Sequence, residues 1–436
     1  MPPFGDPEGS PQGGPEGPCP YCTVAMRGLA ILERTYLRVF RLYPFMIPLA
    51  VVMACGETGY AAVNNFGLPL YLDGAASRLG VPVGAVGRTV GWVIASFLLT
   101  ETAFRLPLGM LSDRIGRKTL IVAGPLVGCA AMALMTTVGR WQWMIPVRAF
   151  DGIAAAALWP SIFALIGDRV DRENRATAMS VTNMVYMAGI ALGPALGGLL
   201  MRLSGSARAP FAMASGVFFL AAMTALAFLP RGRPTRNGED GAAEVRISRL
   251  SLAAMLMLMF AQAFGVILLA PFLSLYAKQH LHLQPLHIGI LPALAAVPVG
   301  LLAIPLGRLA DRVRRDVAVK VGLTVAGIGM WLVPFARSFV ELALVMVVLA
   351  IAYAFALPAW LAMVTEVSPT HGRGRTLGMF GIAQGLGAVV APPAGGFLYD
   401  RGPRLPFVAS AALLTASALL ACAAMPRAAA AGEGSK

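Results

Sequence analysis

Apolar positions along this chain neither alternate nor fall on a single helical stripe. They come in long runs that are apolar nearly all round, such as Leu252–Leu275 and Leu342–Ala356, interrupted by short breaks of Gly, Pro and charge. A run of roughly 20 apolar residues is what a helix needs to cross a bilayer. Lipid accepts only helices and closed barrels, because every backbone polar group must be satisfied internally. Barrel strands would show a period of two, and these runs do not, so the spans are read as helices. Cutting at the breaks predicts twelve, near 43–70, 84–110, 118–137, 143–167, 176–201, 209–229, 251–277, 287–308, 317–336, 341–365, 375–399 and 404–425.

The one long polar interruption, 230–250, divides the chain into two sets of six. The expected organisation is a tail and basic juxtamembrane segment (1–42), a first six-helix bundle (43–229), a linker (230–250), a second bundle (251–425) and a short tail (426–436). The predicted fold class is therefore all-α integral membrane, with two pseudo-symmetric six-helix bundles.

Composition agrees with the pattern. The chain is 57% hydrophobic and only 13% charged, with mean hydropathy +0.71. Soluble domains carry about 25% charged residues, so too few charges are present here to cover a water-soluble surface. The net charge of +14 would suggest nucleic acid in a soluble protein. In a membrane protein, basic residues collect in cytoplasmic loops. With the N-terminus inside, 24 of the 35 Lys and Arg fall on the cytoplasmic side and 9 on the other. Both termini and the linker are thus expected in the cytoplasm of a multi-pass protein of the cell (inner) membrane, with the bilayer as partner, no nucleic acid and a monomeric state.

The five cysteines offer no disulfide framework. Cys55, Cys129 and Cys422 lie in apolar runs, and Cys19 and Cys22 have redox-dithiol spacing inside a Gly/Pro-rich tail that reads as disordered. The residues before the first span are polar and then basic-amphipathic, so no cleavable signal peptide is expected among them, and Met26 is a second candidate start.

The two sets of six superpose without a gap. Gly109, Asp113 and Arg114 correspond to Gly307, Asp311 and Arg312, an offset of 198 residues (109 to 307). Asp168 and Glu366, Arg175 and Arg373, Pro194 and Pro392, and Gly197-Gly198 and Gly395-Gly396 keep the same register. Duplication of this kind builds many secondary transporters, with the substrate site between the repeats near the membrane midplane.

Gly109-Met-Leu-Ser-Asp113-Arg114-Ile-Gly116-Arg117-Lys118 resembles, over its full length, the signature loop between spans two and three of the major facilitator superfamily. The copy at Gly307–Asp316 keeps Gly307, Asp311, Arg312 and Arg315 but has Arg314 and Asp316 where the motif has glycine and a basic residue. The resemblance implies a cytoplasmic gate. Gly109 admits a close helix, Asp113 faces the N-terminal end of span eleven near Arg375-Thr376, and Arg114 or Arg117 pairs with Asp168. In the second copy Asp311 faces the start of span five, and Glu366 pairs with Arg312 or Arg315. Arg148-Ala-Phe-Asp151-Gly152 resembles the family's buried arginine followed by glycine. Gly189-Ile-Ala-Leu-Gly193-Pro194-Ala-Leu-Gly197-Gly198 resembles the span-five motif of its antiporters, mainly drug/proton exporters.

Five ionisable residues fall well inside predicted spans, away from their ends: Glu57, Glu101, Arg105, Arg148 and Asp151. Such groups are costly in hydrocarbon and mark ion or substrate pathways. Their counterparts 198 residues on are Met255, Val299, Ala303, Met346 and Leu349, so the buried chemistry is confined to the first half. Glu101 with Arg105 and Arg148 with Asp151 have the spacing of ion pairs on one helix face. Glu57 has no basic residue one turn away. It is the first candidate for the proton-coupling carboxylate, or else a protonated acid bonded to a neighbour such as Tyr60. Tyr60, Asn64, Asn183, Tyr186, Gln262, Tyr353, Trp360 and Gln384 are cavity candidates, equally readable as helix–helix hydrogen bonds or interface anchors.

These features point to a secondary transporter that exports lipophilic or amphipathic small molecules by alternating access. It would use the proton gradient as coupling ion and no cofactor, metal or catalytic residue. The alternatives are a carrier or importer of a metabolite, sugar or lipid-like substrate, and a transport-inactive membrane sensor.

Overall fold

The computed structural model describes residues 38–230, 249–312, 315–367 and 373–424. The tail with Cys19 and Cys22, almost all of the linker and the C-terminal tail lie outside the described residues. The helices are α1 (Met46–Gly74), α2 (Val86–Ile115), α3 (Arg117–Met135), α4 (Trp141–Arg169), α5 (Arg172–Ser204) and α6 (Ala209–Phe228) in the first half. The second half contains α7 (Arg249–Gln279), α8 (Pro285–Arg312), α9 (Arg315–Leu332), α10 (Phe339–Val367), α11 (Arg373–Arg401) and α12 (Leu405–Ala424). Ten are long and apolar enough to cross a membrane, and α8 and α12 carry the shorter apolar stretches Pro285–Ala296 and Leu405–Leu420. Several helices run a few residues beyond the predicted spans, because hydrogen bonding continues into the interface after the apolar run has ended.

Packing repeats as the sequence does. In the first half α1 packs on α5 and α6, α4 on α2 and α3, and α3 on α6. In the second, α7 packs on α11 and α12, α10 on α8 and α9, and α9 on α12. Adding six to each label converts one set into the other. The halves meet along α2 with α11 and along α5 with α8, again symmetry mates.

At that seam the backbones nearly touch. A Cβ on Gly91 would lie 2.3 Å from the Pro392 carbonyl oxygen, and one on its mate Gly289 would lie 2.2 Å from that of Pro194. Gly198 meets the Pro285 carbonyl and Gly396 meets that of Gly87, at 2.6 and 2.2 Å on the same measure. Small residues permit such approaches in lipid, where helix association depends on van der Waals packing.

The seam is concentrated at the end of the bundle away from both chain termini, called here the distal end. A group of hydrogen bonds and ion pairs joins the two halves there. Ser274 Oγ donates to the Asn65 carbonyl (2.5 Å), Gln279 Nε2 donates to Asp73 Oδ1 (2.6 Å), Lys278 pairs with Asp73 (2.6 Å), and Asp400 receives the start of α2. Farther in, Gly385 of α11 packs on Thr102 of α2. Beyond that point Phe104, Leu106, Met110 and Leu111 of α2 are exposed.

One helix is irregular. Residues Val63–Gly67 form a single π-helical turn within α1, the kind of insertion often found at functional positions.

Candidate functional site

The site is a polar cluster where α1, α2, α4 and α5 meet. Gly152 brings α2 against α4: a Cβ there would lie 2.1 Å from Thr100 Oγ1 and 2.2 Å from the Phe97 carbonyl. Thr100 Oγ1 also donates to the Ala149 carbonyl (2.8 Å). This crossing places the Phe97 ring under the Arg148 guanidinium, 4.4 Å from Cζ to the ring centroid, a favourable cation–π geometry. Arg148 and Asp151 are both fully buried and ion-paired. Arg148 also donates to Asn64 Oδ1, carried on the π turn of α1. Among the described residues, Arg148 Nε and Asp151 Oδ1 have no hydrogen-bond partner. The buried arginine–glycine pattern therefore does two things: the glycine sets the helix crossing, and the arginine occupies the space beside it.

Glu57 stands on α1, 7% exposed, with no hydrogen bond or ion pair among the described residues. Tyr60 does not supply one: its hydroxyl is itself unpartnered, and its ring packs between Phe97 and Phe218 (5.6 and 4.8 Å). What Glu57 does touch is the span-five glycine motif. A Cβ on Gly189 would lie 2.6 Å from Glu57 Cβ and 2.9 Å from Cγ, and one on Gly193 would lie 2.4 Å from the Thr58 carbonyl. Gly189 and Gly193 thus form the wall against which α1 presents its carboxylate. Glu101 is within electrostatic reach of Glu57 and of Asp151, and it pairs with Arg105 at 2.6 Å on the half-exposed side of α2.

The cavity candidates divide. Tyr60 is core, and Asn64 holds Arg148. Tyr186 stacks edge-on against Trp159 (5.3 Å) and lies within electrostatic reach of Glu57, Glu101 and Tyr353. Gln262 on α7 and Tyr353 on α10 lie within electrostatic reach of one another. Asn183 and Gln384 are exposed, and the side chain of Trp360 is outside the described residues. Among the described residues no three His, Cys, Asp or Glu side chains converge as metal ligands.

At the opposite, terminal end, the signature loop is a compact network within the first half. Arg117, rather than Arg114, reaches Asp168, with Nε to Oδ2 at 3.0 Å. Arg117 also donates to buried Ser112 Oγ (3.1 Å), which receives Ser161 as well. Gly116 links α2 to α3 with φ 98°, a conformation natural to glycine. Lys118 donates to the Leu229 carbonyl (2.7 Å), closing the C-terminal end of α6. Arg175 does the same for α4 through the Gly167 carbonyl (2.8 Å).

Asp113, expected at the start of α11, is 57% exposed and pairs instead with Arg117. Gly109, expected to admit a close helix, has among the described residues only Pro160 near it, at ordinary contact distance (3.9 Å). Both differences have one cause: the α2–α11 seam closes from the distal end. The side chains of Asp311, Arg312, Arg315 and Glu366, and the surroundings of Gly307, lie outside the described residues.

The distal contacts were missed from sequence. Asp73, Arg88, Lys278 and Asp400 resemble ordinary span-end charges. Gly91 and Gly289, however, carry the 198-residue offset and were open to the same repeat test as the landmarks.

The fold is that of a membrane transporter built from two six-helix halves with equivalent contacts. Major Facilitator Superfamily sequence patterns match residues 49–257 and 255–436; the chain belongs to that superfamily. It is 26% identical over 334 residues to Multidrug resistance protein 1 of Bacillus subtilis, covering 74% of this chain and 83% of that one. It is 23% identical over 335 residues to the multi-drug resistance efflux pump PmrA of Streptococcus pneumoniae, covering 75% and 82%. Its fold is similar to the crystal structure of a bacterial homolog of the human lysosomal transporter Spinster in an inward-facing, unoccupied conformation. There the TM-score is 0.69 at 16% identity, over 88% of this chain and 97% of that one.

Proposed function

We propose that this transporter is a proton-coupled exporter of lipophilic or amphipathic small molecules, working by alternating access, with Glu57 as the coupling carboxylate. The observation that carries the reading is a buried carboxylate without a partner among the described residues, walled by the antiporter-like glycines, with Glu101 in electrostatic reach of both it and Asp151. Intramembrane ionisable groups at such positions mark ion pathways. Efflux pumps among its relatives support the direction of transport. The basic-residue bias supports cytoplasmic termini; on that reading the closed distal end is the outer one.

In each cycle Glu57 releases its proton toward the cytoplasm, substrate enters from the cytoplasm or inner leaflet, and a proton from outside resets the site. Only a difference in affinity between the two conformations lets a proton bias them. The test is Glu57→Gln in proteoliposomes under an imposed pH gradient, with a lipophilic fluorescent cation as probe. Proton-driven transport is expected to fall at least tenfold while probe binding persists. Undiminished transport would sink the assignment.

A further inference from the structure

The irregular turn of α1 sits beside a proline. In an α-helix each N–H donates to the carbonyl four positions back, so the Asn65 carbonyl would be served by residue 69, which is Pro69. Proline has no N–H to give. The chain widens over Val63–Gly67, where the Leu68 N–H bonds back to the Val63 carbonyl, five positions away. The Asn65 carbonyl is thereby deprived of its α-helical donor, and a backbone carbonyl in apolar surroundings needs a replacement. One comes from the other half. Ser274 on α7, 6% exposed, donates its hydroxyl to that carbonyl at 2.5 Å.

The helices are aligned for this bond. Lys278, one turn farther along α7, pairs with Asp73, two turns farther along α1, at 2.6 Å. The same face of α7 therefore rides on α1 at both points, and α7 packs on the widened turn itself. One residue before the accepting carbonyl, the Asn64 side chain accepts from Arg148. Arg148 is fully buried and held between that amide and Asp151. The repeat does not copy these residues: 198 positions after Asn65 and Pro69 stand Ala263 and Ile267, and 198 before Ser274 stands Ala76.

We propose that Ser274 is a positioning residue for the buried charge cluster. Its hydroxyl fixes the widened turn, the turn fixes the Asn64 side chain, and the Asn64 amide sets the place of the Arg148 guanidinium. Ser274 and Asn65 belong to different halves, so the bond exists only while the distal end is closed. Arg148 is then held differently in the two conformations, which supplies the differential interaction that a coupled proton requires. The inference rests on the proton-coupled reading above and names the residue through which the second half acts on the first.

The test uses the full chain in proteoliposomes, with a lipophilic fluorescent cation under imposed pH gradients across a pH series. Ser274→Ala is expected to lower proton-driven transport about fivefold, the scale of one hydrogen bond. It should also displace the pH midpoint by about half a unit or more, the same energy read as a proton affinity. Ser274→Thr, which keeps the hydroxyl, should restore both. Lys278→Ala is the control, since it removes a neighbouring cross-half bond made to Asp73 rather than to the turn. Spin labels at Val83→Cys and Arg404→Cys, with the native cysteines replaced by alanine, report distal opening in nanodiscs by pulsed electron resonance. For the same change in label distance, Ser274→Ala should displace the pH midpoint further than Lys278→Ala. That excess should vanish in an Asn64→Ala background. Pro69→Ala returns a donor to the Asn65 carbonyl, and in that background Ser274→Ala should have less than about half its effect, the carbonyl being already satisfied.

The proposal is overturned if Ser274→Ala leaves the pH midpoint in place. It is equally overturned if Lys278→Ala matches it at equal opening, which would make Ser274 a plain latch. Melting temperatures in nanodiscs give a second cycle that needs no transport. Ser274→Ala and Asn64→Ala act on one turn and should be clearly non-additive; additive losses would also overturn the proposal. If wild-type transport ignores the pH gradient, the proton-coupled reading falls, and the melting cycle alone decides whether Ser274 positions the cluster.

Discussion

The two halves share a backbone plan yet differ in what they bury. Where the first half places Arg148 and Asp151, the second has Met346 and Leu349; where the first has Glu57, the second has Met255. The helix contacts are mates throughout, so the scaffold does not require the buried charges. An ion pair in hydrocarbon-like surroundings is weak evidence for stability, and apolar replacement of both members is often neutral or better. Losing one member is different, because it strands the other. The comparison therefore teaches that this backbone plan can be built without them, and the role proposed above for the first half's charges is one that the second half does not share.

The largest effect that would test this is a transplant. Arg148→Met alone should destabilise the protein by about 3–5 kcal/mol, the scale of a stranded buried charge. Arg148→Met with Asp151→Leu, which copies the second half, should recover most of that loss in a melting experiment. Proton-driven transport should nonetheless stay at least tenfold reduced. Recovery of transport in the double variant would break the comparison; failure to recover stability would show that the pair supports the fold.

Next in size are the seam glycines. Gly91→Ala and Gly289→Ala each force a methyl group onto a backbone carbonyl, at a cost of about 1–3 kcal/mol for overpacking. Both should shift a spin-label pair placed across the distal end, at Val83 and Arg404, toward longer distances, and by similar amounts. Unequal shifts would mean that the mates are symmetric in position but not in load.

A finer contrast uses Gly189 and its mate Gly387, whose absent side chains face Glu57 and the Phe260 carbonyl respectively. Both alanine variants should perturb packing, but only Gly189→Ala should displace the pH dependence of transport. In a Glu57→Gln background that displacement should vanish, as expected for residues in contact.

The smallest effect is expected at Arg105. Its bond to Glu101 is half exposed, and such pairs contribute about 0–1 kcal/mol. Arg105→Ala should leave the melting temperature within about a degree or two, given that scale, and any change in transport would assign the pair to coupling.

Much of this could be read before any coordinates. Long apolar runs place the helices because lipid leaves the backbone no alternative, and a gapless repeat places their contacts. The pairing of Arg148 with Asp151 and of Arg105 with Glu101 followed from spacing along one helix. What spacing along a helix does not contain is which end of the seam is closed. Asp113 and Asp400 are both carboxylates near helix ends, and only the arrangement of the halves says which of them meets an N-terminus. Nor could Gly189 be linked to Glu57, since the register of α5 against α1 depends on packing between residues 132 positions apart (57 to 189).

The wide turn in α1 joins these two kinds of information. Asn64 and Asn65 are neighbours within it, and they serve opposite masters: the side chain of Asn64 holds the Arg148 guanidinium, while the carbonyl of Asn65 is held by Ser274 from the other half. A single peptide unit therefore separates the charge cluster from the cross-seam bond. The widened turn thus ties the buried arginine to the facing half through the backbone of one helix alone.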